Sequence, residues 1–132
     1  ATNLTAPMLC TRAAMAAMKG SGGGRIINIG SISGSRVRPN HAPYNASKHG
    51  LWGLTQSTAL EGRDHDITAC CLNPGNVMVE RRMEGSRAWD DEPMMTPDEL
   101  AEVALTVAAL PPHVEVLEVP VIPHRQAYVG RG

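Results

Sequence analysis

Three helix-patterned stretches alternate with three compact apolar runs, and that order constrains the fold more than any other feature of the chain. Leu4, Met8, Leu9, Met15 and Met18 recur at helical spacing, and Lys19 and Gly20 supply a positive last turn and a stop. A turn rich in glycine then feeds Ile26 to Ile29, a run of the kind shown by a strand buried on both faces. A second helix is predicted from about Tyr44 to Arg63, with Leu51, Leu54, Thr58 and Ala59 on one side. "DITACCL" reads as a second buried strand, halted by Asn73, Pro74 and Gly75. Thr96, Pro97 and Glu99 fit the N-cap, the first helical position and the capping-box partner of a third helix. Pro111 and Pro112 end it, and "VEVLEVPVI" follows as a last strand that Pro120 pushes toward a sheet edge. Such alternation yields an α/β fold, a parallel sheet covered by helices on both faces. Three strands are about half the number in a doubly wound sheet, so the pattern reads as the second half of one.

Charge and composition exclude several classes of function. Lys and Arg number 12 against 13 Asp and Glu, with no basic run, so the footprint of a nucleic-acid binder is missing. No apolar run approaches the roughly 18 residues that span a bilayer, and no charged-then-apolar leader opens the chain, so we expect a soluble protein without a membrane partner. Cys70 and Cys71 are adjacent, point to opposite faces of a strand and resist bridging each other, which fits a reducing cytoplasm. These two and Cys10 fall in apolar surroundings and read as core. His41, His49, His65, His113 and His124 lack metal-ligand spacing and suit surface or loop positions, so no metal is expected. The sequence opens at Ala1 on a pattern that is already helical, and we expect it to begin in mid-architecture, with 1–132 the carboxyl-terminal portion of one domain.

The stretch "HAPYNASKHG" sets Tyr44 and Lys48 four residues apart at the start of a helix, on one face. A phenol alone ionises near pH 10 and is a poor acid-base group at neutral pH; a neighbouring ammonium favours the phenolate and makes a proton relay. Ala46 and Gly50 leave room for a large flat group against the helix. Ser31 ends the first strand thirteen residues before Tyr44, at the rim where parallel sheets bind ligands, and Asn73, Pro74 and Gly75 end the next strand there.

In this order and spacing, "NIGSISG", "YNASK" and "LNPGNV" resemble the short-chain dehydrogenase/reductase family, with Ser31, Tyr44 and Lys48 on its signature and Asn3, in "NL", on its fourth catalytic position. The resemblance implies a Rossmann-like fold and hydride transfer between NADP or NAD and the carbonyl or alcohol carbon of a small molecule. It implies that Tyr44 exchanges a proton with the substrate oxygen, which Ser31 hydrogen-bonds. Lys48 would assist Tyr44 and hold the nicotinamide ribose, and Asn3 would help carry a water linking Lys48 to solvent. Pro74, Gly75 and Val77 would pack against the nicotinamide, with backbone available to its carboxamide. It also implies a homo-oligomer built through the first two helices when full length.

Three departures qualify what the resemblance implies. Val79 stands where the family has Thr, which keeps the shape but loses a hydrogen bond to the cofactor. The family's "TGxxxGxG" and "NNAG" are absent, and Gly20 to Gly24 cannot replace them, because that turn leaves a helix and enters a strand. The segment from Val79 to Met95 reads either as a solvated loop or, by the resemblance, as a mobile substrate lid; Trp89, Met94 and Met95 would give it an apolar side, and Arg81, Arg82 and Arg87 would attract an acidic substrate. The ending "LPPHVEVLEVPVIPHRQ" is similar to a branch that acts on short 3-hydroxy acids such as serine. Two other functions stand beside the oxidoreductase: a noncatalytic remnant that binds a full-length subunit, and a nucleotide-binding regulator without chemistry. The second is disfavoured because all four catalytic positions are filled.

Overall fold

The computed structural model describes residues 2–79 and 92–129. Its elements follow the predicted order: α1 (Thr5–Lys19), β1 (Gly24–Ile29), α2 (Ala42–Gly62), β2 (Ile67–Pro74), α3 (Pro97–Ala108) and β3 (Glu118–Val121). The three strands form one parallel sheet in the order β1-β2-β3, so β2 is central.

Alternation along β1 sorts the helices into layers. Ile26 clusters with Met15 of α1 and Ile67 of β2, and Asn28 donates a hydrogen bond to Thr55 of α2 at 3.0 Å. Both side chains project from one face, so α1 and α2 share a layer. Arg25 projects from the other face, where its guanidinium donates to the carbonyls of Leu110, Pro111 and Val114, at 3.4, 2.9 and 2.9 Å, at the end of α3. A cation there suits the negative end of the helix. Along α2, Leu51, Thr55, Thr58, Ala59 and Gly62 form the buried stripe.

Local chemistry explains the helix boundaries. The Thr96 hydroxyl accepts from the Glu99 amide and the Glu99 carboxylate accepts from the Thr96 amide, which completes the expected capping box. α2 begins at Ala42, two residues earlier than its sequence suggested, because His41 serves as N-cap and its carbonyl accepts from the Asn45 amide at 2.8 Å.

Burial corrects several expectations. β2 is buried on both faces, with Ala69, Cys70, Cys71 and Leu72 essentially inaccessible. β1 is not: Ile29 is 51% exposed, because β1 has a strand on one side only among the described residues. Cys10, read as core, is exposed, as are Met8 and Leu9; the stripe of α1 that meets the sheet runs instead through Thr11 and Met15. The last strand is shorter than the apolar run predicted. Leu117 and Val121 accept from β2 through their carbonyls, so Pro120, on the alternate register, turns its missing donor to the outer edge.

Candidate active site

Ser31, Tyr44 and Lys48 gather beyond the carboxyl end of β1. The Lys48 ammonium donates to the Ile29 carbonyl at 3.0 Å and lies 5.7 Å from the centre of the Tyr44 ring. The first contact holds the lysine within two residues of Ser31; the second brings the charge over the phenol. Tyr44 is 39% exposed, so its ring faces an open rim. Ser31 is buried, in extended backbone, and its Oγ accepts from the Ser33 amide at 3.1 Å to open the short 3-10 turn Ile32–Gly34.

Asn3 stands apart from this group. It is exposed in the turn before α1, and among the described residues no hydrogen bond joins it to Tyr44 or Lys48. The next residue, Leu4, packs against α2 at Gly50, two residues past Lys48, which brings the start of α1 alongside the same part of the helix.

The segment after β2 forms the opposite wall. Asn73 and Pro74 are the last residues of the strand and Gly75 follows it, and Asn73 Oδ1 accepts from the Ser31 amide at 3.0 Å, which ties the two strand ends together. Val77 pairs with Met95 in a parallel bridge made by the Asn76 carbonyl and the Met78 amide, to the Met95 amide at 2.9 Å and the Met95 carbonyl at 2.8 Å. Val77's own amide and carbonyl therefore turn away from Met95. One donor beside one acceptor is the pairing that the carboxamide in the nicotinamide half of a dinucleotide requires. No equivalent appears for the adenine half among the described residues: Gly20 to Gly24 connects α1 to β1, with no helix N-terminus facing outward.

Sequence reasoning missed the supports of this wall. Asn76 is fully buried; its amide donates to Gln126 Oε1 at 2.8 Å and its side chain donates to Glu92 at 2.7 Å. Arg36 donates to the Tyr128 carbonyl at 2.8 Å and lies 4.8 Å from the centre of its ring, and the hydroxyls of Ser35 and Tyr128 are 3.2 Å apart. The segment after β3 thus spans from the Pro74–Val77 turn to the loop after Ser31. Gln126 and Tyr128 lie 50 to 93 residues from their partners in sequence, and no local spacing announces them.

The remaining candidates are peripheral. All five histidines are exposed, and His41 Nδ1 donates locally to the Pro39 carbonyl, 2.8 Å away. Val79 is exposed. Residues 80–91 of the expected lid, including Arg81, Arg82, Arg87 and Trp89, lie outside the described residues, and Met95, expected on its apolar side, is buried.

The buried thiols are held in their neutral form. Burial, with Cys71 beside it, pushes the Cys70 thiol from 9.0 up to about 11, and burial raises Cys71 as well. We expect an alkylating reagent at neutral pH to modify Cys10 alone until the protein unfolds. The unfolded chain ionises first, so the stability contributed by the neutral Cys70 is complete below about pH 9 and is lost as pH climbs toward about 11. Mass spectrometry of the alkylated peptides checks this; equal labelling of Cys10 and Cys70 in the native state would contradict the packing of β2.

Comparison with known proteins follows the same lines. The family model described as short chain dehydrogenase matches residues 1–90. The chain is 32% identical to the dehydrogenase/reductase SDR family member 11 of Mus musculus, over 94% of this chain and 53% of that protein. It is 31% identical to an uncharacterized oxidoreductase of Staphylococcus saprophyticus, over 92% of this chain and 51% of that one. The closed form of serine dehydrogenase complexed with NADP+ superimposes with a TM-score of 0.88 at 25% identity, over 99% of this chain and 56% of that one. The chain spans about half the length of these relatives.

Proposed function

The chain belongs to the short-chain dehydrogenase/reductase family, and on that premise we propose that it carries the catalytic half of an NADP- or NAD-dependent oxidoreductase acting on a small carbonyl compound or secondary alcohol. The observation that supports this reading is the Lys48 ammonium, which lies over the Tyr44 ring and donates to the Ile29 carbonyl, two residues before Ser31. The nicotinamide, when bound, supplies or accepts the hydride. Tyr44 passes a proton to or from the substrate oxygen at its hydroxyl. Lys48 sets its charge beside the Tyr44 ring and reaches the ribose. The Ser31 hydroxyl orients the substrate oxygen, and Asn3 leads a water toward Lys48. Pro74, Gly75 and Val77 form the wall on which the carboxamide rests, through Val77's backbone donor and acceptor.

For the substrate we propose a short 3-hydroxy acid. The likeness to serine dehydrogenase supports this, together with the chain's closing segment, which runs across the loop after Ser31. Following reduced-nicotinamide absorbance with serine and related acids, in the protein carrying this chain, tests the reading. Turnover that depends on cofactor and exceeds that with simple secondary alcohols is expected; none with any hydroxy acid or alcohol would overturn it.

A second reading rests on the outer surface of α1. Met8 is 54% and Leu9 49% exposed, and an apolar groove of about 710 Å³ lies between α1 and α2. A noncatalytic chain that associates with a full-length subunit through these helices would co-purify with that subunit while showing no turnover alone. Among the described residues no helix is long and apolar enough to cross a membrane.

A further inference from the structure

We propose that Asn73 is a positioning residue for Ser31, held in its working orientation by Glu118; the proposal rests on the role assigned above to the Ser31 hydroxyl. Asn73 is 3% exposed and uses both ends of its amide. Its Oδ1 accepts from the Ser31 amide at 3.0 Å and from the Cys71 thiol at 3.2 Å, while its Nδ2 donates to Glu118 Oε1 at 2.8 Å. One side chain therefore joins the ends of all three strands.

The pairing of β1 with β2 shows why a side chain is needed at this point. The Gly30 amide still donates to a backbone carbonyl, that of Leu72 at 2.8 Å. At Ser31 the chain turns into the 3-10 segment, and its amide, which the alternation of the ladder would point away from β2, is met instead by Asn73 Oδ1. Gly30 makes room for it: a β-carbon there would come within 2.0 Å of Asn73 Oδ1 and 2.7 Å of Cys71 Sγ. Ser31 is then fixed twice, at its amide by Asn73 and at its Oγ by the Ser33 amide. The hydroxyl proton is not used by either contact.

The orientation of the Asn73 amide follows from Glu118. A carboxylate can only accept, so it selects Nδ2 and leaves Oδ1 for Ser31. This polarity can be reversed in a controlled way. Asn73→Asp keeps the acceptor for Ser31 but sets one carboxylate against another; adding Glu118→Gln restores a donor between them.

The experiment is amide hydrogen exchange at Ser31, read beside steady-state kinetics, in the protein carrying this chain. Asn73→Ala and Asn73→Asp are each expected to lower Ser31 protection by about tenfold or more and kcat by about ten- to a hundredfold, with cofactor KM changed by less than about threefold. The double variant Asn73→Asp with Glu118→Gln is expected to recover both to within about threefold of the unsubstituted protein. If Asn73→Ala does not fold, the two Asp-bearing variants decide alone. Recovery absent from the double variant, or Ser31 protection and kcat untouched by Asn73→Ala, would overturn the proposal. Loss and recovery of protection without any turnover in the unsubstituted protein would retire the oxidoreductase reading and leave Asn73 as the anchor of Ser31.

Discussion

Tyr44→Phe is expected to lower kcat by about a thousandfold or more, while cofactor affinity and thermal stability stay near their original values. The substitution removes one hydroxyl and nothing else. Among the described residues that hydroxyl makes no hydrogen bond, and the ring is 39% exposed, so the fold loses no partner. The contact between the ring and the Lys48 ammonium at 5.7 Å survives in Phe. Lys48 would be a poorer probe, because its bond to the Ile29 carbonyl makes any replacement structural as well as chemical. Turnover rates, cofactor titration by fluorescence and a melting curve, taken on one preparation, separate the effects. Undiminished kcat would remove Tyr44 from the proton path.

Gly23→Ala is expected to destabilise the protein by about 3 kcal/mol, whereas Gly22→Ala costs about 1 kcal/mol. Both glycines have positive φ, at 88° for Gly22 and 100° for Gly23, so each substitution strains the backbone. They differ in their surroundings. A β-carbon at Gly22 meets nothing within 4 Å, but at Gly23 it lands 2.4 Å from the Asp66 carbonyl oxygen. That oxygen accepts from the Gly24 amide at 3.1 Å, and Asp66 itself adopts the left-handed conformation. The turn after α1 is thereby locked to the start of β2, and relief of the clash must break that lock. Urea unfolding of the two variants gives the comparison; equal midpoints would show that the close approach carries no cost.

What was legible in the sequence was local. The capping box of α3, the i,i+4 pair on α2, the glycine turn before β1 and the edge strand marked by Pro120 each rest on residues a few positions apart, where covalent geometry fixes the outcome. Cys10 failed as a core prediction because apolar neighbours in sequence do not say which arc of a helix meets the sheet. Ile29 failed because strand burial depends on what lies beside the strand. Asn73 was read only as the residue that stops β2, yet its amide spans to Ser31, 42 positions away, and to Glu118, 45 away. Tertiary pairing of that kind leaves no period to detect. The same holds for Gln126 against Asn76.

The orientation of Pro120 has a consequence for how far the sheet can grow. With its nitrogen on the outside, β3 offers an incoming strand a ladder with a rung missing, while the outer side of β1 keeps its donors at Arg25, Ile27 and Ile29. In a polymer chemist's terms the sheet is monofunctional. Addition proceeds from one side only: further strands are laid down beside β1, and β3 caps the sheet.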